Sequence, residues 1–391
     1  MSISCPRSSG LEFVLNDEQQ ALRDMLRTFV AKEVRPKAGE WDASAEFPRE
    51  TVAKLGELGL LGAMVPEEYG GSGMDTVSYA VAVEEISKGD GSLGLTVASH
   101  NSLCTAHILG FGSDAVKRKY LPELASGRAL GAWGLTEAGS GSDSLGMRTK
   151  AEWRKDRWVI NGSKMFITQG NVAGVYVVLA VTDRDKRKDG VTAFVFPAGT
   201  KGLSVGRKLH KLGMRSSDTA ELVFEDLEVG PDAVVGQVNS GFRDTMKNLA
   251  GGRISIAALS VGIGLGAMRE ALAYSKERVQ FGHAVSEFQA IQWMFADMGT
   301  ELEAAELMTF RAAALKDAGR PHTREAAMAK LFASEAAMRA TIKAVQVFGG
   351  YGYTQEYPAE RYMRDAKLCE IGEGTSEVQR IIIARDLIRS H

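Results

Sequence analysis

The chain has 391 residues, 45% hydrophobic and 25% charged, with 47 Lys and Arg against 49 Asp and Glu. That length suffices for two or three domains with sizeable cores, and the balanced charge carries no polyanion-binding signature, so no nucleic-acid partner is expected. No uninterrupted apolar run reads as a bilayer-spanning segment, so no membrane insertion is expected either.

The opening MSISCPRSSG lacks the hydrophobic stretch of a secretory signal. Its few Arg and Ser residues are followed closely by Glu12, Asp17 and Glu18, which does not suit a transit peptide. Cys5, Cys104 and Cys369 are odd in number and scattered, as suits a reducing compartment. A bacterial cytosol is the expected location, with a mitochondrial matrix also compatible.

From Asn16 to about Ala129 the pattern is helical. Asn16 or Asp17 can cap a helix carrying Leu22, Met25, Leu26, Phe29 and Val30 at three-to-four spacing. The glycines of PEEYGGSGMD (66–75) interrupt it, and helical stretches resume as far as YLPELASG. HNSLCTAH sets His100, Cys104 and His107 along one side of a helix. With no fourth ligand nearby, a packed face is expected there rather than a metal site.

Near Gly131 the texture changes. DRWVING (156–162), VYVVLAV (175–181), VTAFVFP (191–197) and AELVFEDLEV (220–229) are short, β-branched and aromatic, and separated by turn formers. They predict a strand-built middle region. Beyond about Gly236 helical periods return over 254–280, 286–317 and 323–348, and their small residues and methionines predict a tight bundle. GIGLGA (262–267) lacks the GxGxxG spacing and follows a helical pattern, so close helix–helix contact is expected. No GxxxxGK[ST] phosphate loop and no GxSxG elbow occurs, which disfavours P-loop chemistry and a standard serine hydrolase.

IGEGTSEVQRIIIARDLI (371–388) places Glu373 between two glycines ahead of a helix start. Ser376 can be the N-cap and Gln379 its capping-box partner, with Val378, Ile381, Ile382 and Ile388 largely on one apolar face. On these residues alone, the acid is either solvated in a tight turn or presented with bare backbone N–H groups to a planar reactant.

GLTEAGSGSDSLG (134–146) and QVFGGYGYTQEYPAERYMRD (346–365) settle the direction. With EGTSEVQR and INGSKMFIT (160–168), they resemble the acyl-CoA dehydrogenase family, and the likeness extends through 101–127 and ERVQFG (277–282) to essentially the whole chain. The resemblance implies an α+β multidomain fold: an all-α N-terminal domain over 1–130, a β-barrel-like middle domain over 131–235, and a C-terminal four-helix bundle over 236–391. It also implies FAD, an acyl-CoA substrate oxidised to its trans-2-enoyl-CoA, an electron-transfer flavoprotein as acceptor, and a homotetramer.

Position by position, Glu373 matches the family's catalytic base. Trp133, Leu135, Thr136, Ser142, Phe166, Ile167 and Thr168 match flavin contacts, Phe166 standing where many relatives have tryptophan. Arg278, Phe281, Gln346 and Gly350 match contacts donated by another subunit, and Thr375 and Glu377 lie at the helix start. Ser142, Leu249, Gly252, Arg253, Gly372 and Gly374 match substrate-side positions. Some relatives carry the base at the position of Gly252, where glycine cannot act. Gly372 replaces an aromatic residue and Gln169 a common asparagine, so the acyl pocket is expected to differ. Leu95, Thr96 and Ser99 match positions near its floor. Two other readings are an acyl-CoA oxidase or flavin monooxygenase on the same fold, and a helical binding protein without catalysis.

Overall fold

The computed structural model describes residues 15–390; the expectations for MSISCPRSSG, and Cys5 with them, lie outside the described residues. The first part is helical: α1 (Asp17–Phe29), α2 (Arg35–Ser44), α3 (Arg49–Glu57), α4 (Thr76–Ser87), α5 (Gly91–Ser99), α6 (Ala106–Phe111) and α7 (Asp114–Ala125). Asn16 caps α1: its Oδ1 accepts from Gln19 N at 2.8 Å, and the Gln19 side chain accepts from Asn16 N at 3.1 Å, a reciprocal capping box.

The middle part holds β1 (Gly131–Gly134), β2 (Lys150–Arg154), β3 (Arg157–Thr168), β4 (Val175–Val181), β5 (Val191–Pro197), β6 (Leu203–Lys208), β7 (Thr219–Val229) and β8 (Val234–Val235). They form one eight-stranded sheet in the order β6-β7-β3-β2-β4-β5-β8, with β1 alongside β4. The sheet is open, since β6 and β8 end the strand order without pairing to each other. Alternation along β4 and β5 gives each face its own core. Tyr176, Val178, Phe194 and Phe196 pack with Ile160, Ile167, Leu222 and Phe224 on one side. Val177, Leu179, Ala193 and Val195 meet Cys104, Ile108, Tyr120 and Leu124 of the helical region on the other.

The last part holds α8 (Gly241–Glu277), the short strands β9 (Val279–Gln280) and β10 (His283–Ala284), α9 (Gln289–Asp317), α10 (Thr323–Phe348), α11 (Ala359–Cys369) and α12 (Ser376–Ser390). α8 begins 13 residues before the expected 254, with Gly251 and Gly252 inside the helix. α8 is also long and apolar enough to cross a membrane by length and composition. Its apolar window is 83% buried within the protein, as a central core helix would be. The glycines of GIGLGA permit that burial. A methyl group at Gly266 would sit 2.6 Å from Lys88 O, and one at Gly262 or Gly264 would overlap Glu84 O or Leu302. One apolar core runs from Leu26 through α4 and α5 into α8, α10 and α11, so the two helical parts are packed as one body.

His100, on a π-helical turn (His100–Thr105), links the helical region to the sheet. Gly131 N donates to its Nδ1 at 3.0 Å, and Nε2 contacts the carbonyls of Leu61 and Leu124 at 2.9 and 3.1 Å. Burial holds its pKa down at about 4, so it is a neutral structural joint. Arg364 on α11 makes the corresponding link elsewhere. It forks onto Asp42 at 3.0 and 2.6 Å, pairs with Glu360, and donates to Leu212 O at 3.1 Å. Removing a buried guanidinium leaves Glu360 without its ion pair and Asp42 with only Arg215, 4.0 Å away. Arg364→Ala is therefore expected to lower stability by about 3 kcal/mol, measured as a fall in denaturant midpoint. A loss below about 0.5 kcal/mol would mark the cluster as energetically equivalent to a surface pair.

Candidate functional site

Glu373 sits in the turn between α11 and α12 with φ +53°, and Gly374 follows at +95°. A glutamate in the left-handed region is strained, and such strain persists where surrounding contacts fix it. Here the contacts are on the carbonyls. Gln379 Nε2 donates to Gly374 O at 2.8 Å and to Glu373 O at 3.3 Å, while Lys330 Nζ on α10 donates to Gly374 O at 2.8 Å. The N-cap of α12 is Thr375 rather than the expected Ser376: Thr375 Oγ1 accepts from Val378 N at 3.4 Å. Gln379 departs from the capping-box pattern because those two carbonyls claim its amide. Ser376 is the first helical residue, with its hydroxyl buried and unpartnered. The apolar face of α12 is only partly covered: Val378 and Ile382 are half-buried, while Ile381 and Ile388 are exposed.

The Glu373 side chain turns inward. Its Oε2 is out of contact with water and has no hydrogen-bond partner among the described residues. It lies against α8 at Gly252, where a methyl group would overlap Oε2. The glycine at 252 thus makes the room the carboxylate occupies. Arg253 is buried beside it with Nε unpartnered, and Leu249 is half-buried one turn earlier on α8. Burial pushes Glu373 up to about 7, with Lys330 and then Arg253 opposing the rise. The backbone N–H groups of Glu373 and Gly374 donate to nothing among the described residues. A carboxylate poised near neutrality beside two unused donors can take a proton from an atom whose neighbouring oxygen gains negative charge.

The sheet supplies a second group. β3 carries a bulge between Lys164 and Ile167, and Phe166 sits on it with φ +60° and is 64% exposed. An exposed aromatic face held by a strained bulge fits a planar ring system. Ile167 instead buries its side chain in the sheet core, leaving only its backbone for a ligand, and Thr168 is half-buried. Trp133, Leu135 and Thr136 are half-buried on β1 and the loop after it, and Ser142 is exposed. Trp133 Nε1 donates to the buried His107 at 3.3 Å.

A buried ion pair that no local motif signals shapes this loop. Lys164 is fully buried and donates to Leu135 O at 3.0 Å and Glu137 Oε1 at 2.8 Å. Glu137 also accepts from Arg148 N and Thr149 N, at 2.6 and 2.9 Å. A lysine at an inward strand position is the sequence signal for such a partner. Gln169 is likewise buried, donating to Thr96 O at 3.1 Å and accepting from Ser99 Oγ at 3.2 Å, so it ties the end of β3 to α5. Leu95, Thr96 and Ser99 are all buried there.

A third group lies at the far end of α8. Arg278 and Gly350 line a cavity of about 510 Å³ together with Tyr274, Gln280, Phe348 and Tyr351. The Arg278 guanidinium lies 5.5 Å from the centre of the Tyr351 ring. Phe281, at φ +53°, is 93% exposed on the adjacent ribbon, and Gln346 is exposed just before the cavity. Thr375 is half-buried and Glu377 exposed at the start of α12. Among the described residues no group of three or more His, Cys, Asp or Glu side chains is placed to hold a metal ion.

Family models for the acyl-CoA dehydrogenase N-terminal, middle and C-terminal domains match residues 16–128, 132–227 and 239–388. The chain belongs to the acyl-CoA dehydrogenase family. It is similar to the short-chain specific acyl-CoA dehydrogenase of Clostridium acetobutylicum, with 49% identity over 97% of this chain and 100% of that one. Among solved structures it is similar to butyryl-CoA dehydrogenase from Megasphaera elsdenii (TM-score 0.95, 43% identity, 97% and 100% covered). A chain in the structure of the electron transferring flavoprotein of Acidaminococcus fermentans matches with TM-score 0.96 and 46% identity over 97% of this chain and 100% of that one.

The fit between Gly252 and Glu373 makes a prediction. Gly252→Ala should leave the fold as stable or more so, since alanine favours a helix interior by about 1 kcal/mol. A crystal structure of the variant should show the carboxylate rotated away from α8. An unmoved carboxylate would contradict the assignment of that space.

Proposed function

We propose that the protein is an FAD-dependent acyl-CoA dehydrogenase in which Glu373 removes the α-proton of a short-chain acyl-CoA. The observation that carries this reading is the buried, unpartnered Oε2 of Glu373 with unused backbone N–H groups beside it. Family membership supports the reaction class and the cofactor. The cofactor supplies an acceptor for the hydride that leaves the β-carbon.

The chain's own part is to bind, orient and deprotonate. Glu373 takes the α-proton, and the Glu373 N–H meets the thioester oxygen as charge develops there. Burial serves the base in two ways. It removes water that would compete for the carboxylate, and it brings the pKa close to neutrality, where a base is both ionised and strong enough. Activity should accordingly rise with pH through about 7 as Glu373 ionises. Phe166 would lie against the flavin face, with Trp133, Leu135, Thr136 and the backbone of Ile167 and Thr168 around it. Arg278, Phe281, Gln346 and Gly350 would hold the phosphate and adenine portions from a neighbouring subunit, for which a guanidinium fork is suited.

The reading includes a homotetramer and an electron-transfer flavoprotein as acceptor, the latter supported by the likeness to the Acidaminococcus chain. A bacterial cytosol accords with the likeness to the Clostridium chain. Ser142 and Arg253 would lie along the CoA arm and the entrance.

Gly372 bears on the acyl group. A side chain there would meet only ordinary contacts, 3.5 Å from Leu368 O and 3.9 Å from the Leu368 side chain. The glycine is therefore not forced by crowding, and its bareness leaves room beside the base for a 2-methyl branch. Butyryl-, isobutyryl- and 2-methylbutyryl-CoA should be oxidised in preference to octanoyl-CoA, and Gly372→Tyr should cost the branched substrates about tenfold more than butyryl-CoA. A preference for octanoyl-CoA would defeat this assignment.

Glu373→Gln tests the base itself. The yellow variant should keep its flavin, while anaerobic bleaching by butyryl-CoA falls by at least about 10³-fold. Bleaching at the parent rate would place the base elsewhere.

A further inference from the structure

Lys330 lies outside every family signature discussed above, yet its side chain is fully buried. No carboxylate lies within 4.0 Å of its ammonium among the described residues; its hydrogen bond is to Gly374 O at 2.8 Å. A buried cation without an ion pair is costly, so a functional reason for its retention is worth seeking. The atom it grips belongs to the residue after Glu373, at the strained turn that sets where the carboxylate points. We propose that Lys330 is a positioning residue for the catalytic base: with Gln379 it fixes the Gly374 carbonyl, holds the Glu373 turn in its left-handed conformation, and places a positive charge behind the carboxylate. The proposal rests on Glu373 being the base.

The surroundings are consistent with that role. Facing this pair are Arg253 on α8, Cys369 and Glu370 at the end of α11, and the Tyr79 phenol on α4. Burial pulls Lys330 down to about 8, and the same factor pushes Glu373 up to about 7. Each charge favours the other's ionised form, Glu373 opposing the fall in Lys330 and Lys330 opposing the rise in Glu373. Of the two cations acting on Glu373, Lys330 has the larger effect and Arg253 the smaller. Gln379 shares the carbonyl but carries no charge, so anchoring and charge can be separated by substitution.

The test uses the flavin-loaded enzyme and three variants. Lys330→Arg keeps the charge, Lys330→Gln keeps a donor without charge, and Lys330→Met removes both. The rate of anaerobic flavin reduction by butyryl-CoA is measured from pH 5.5 to 9, with the Glu373 carboxyl followed by infrared difference spectroscopy. The acid limb and the carboxyl titration should both move up by about one pH unit in Gln and Met. Met should in addition lose about tenfold at its optimum through the freed turn, and Arg should keep the parent acid limb. If Met does not fold, Gln decides through the two titrations. If Gln does not fold either, the parent and Arg decide: matching acid limbs support the charge, and a limb displaced in Arg overturns it. Unmoved titrations in Gln with parental rates in Met would overturn the proposal. A parent enzyme that butyryl-CoA and the other acyl-CoAs fail to bleach would instead defeat the reading of the reaction, and is scored separately.

Discussion

A carboxylate held out of water resists ionising, and everything around Glu373 bears on how far that resistance goes. Taken alone, burial would keep the group protonated and useless as a base. Two cations on different helices, Lys330 on α10 and Arg253 on α8, stand against that tendency. The result is a group near neutrality. Neither a solvated acid nor one locked in a salt bridge would combine that poise with an unpartnered oxygen.

That balance requires the architecture to hold one turn from three sides. α8 contributes a gap where Gly252 has no side chain. α10 contributes Lys330, and α12 sends Gln379 back to the carbonyls of Glu373 and Gly374. The shared apolar core running from α1 into α11 keeps these helices in register with α4 and α5. The sheet is tied to the same body by His100 at its start and Gln169 at the end of β3, so the aromatic on the β3 bulge and the base are held by one framework.

What the sequence revealed followed from local pattern. The β4 and β5 strands read as near-continuous apolar runs because both of their faces are buried, and both match the expected ranges residue for residue. Asn16 was legible as a cap because its partner is three residues away. The start of α8 was not, since a glycine pair signals a break unless one knows which side chain fills the space. Lys330 and Lys164 were missed for a related reason. Their partners lie 44 and 27 residues off, and a charge in a helical or strand pattern points to a partner without saying where it is. The N-cap of α12 slipped by one residue because serine and threonine stand side by side, and only Gln379's engagement with the turn decides between them.

The central claim concerns where one carboxylate lies when substrate is present. A crystal structure of the flavin-loaded enzyme with an acyl-CoA analogue that cannot release a β-hydride addresses it most directly. The account predicts a Glu373 oxygen within roughly 3–3.5 Å of the analogue's α-carbon, with the Glu373 N–H on the thioester oxygen. A carboxylate pointing to solvent, or a different acid at the α-carbon, would contradict it.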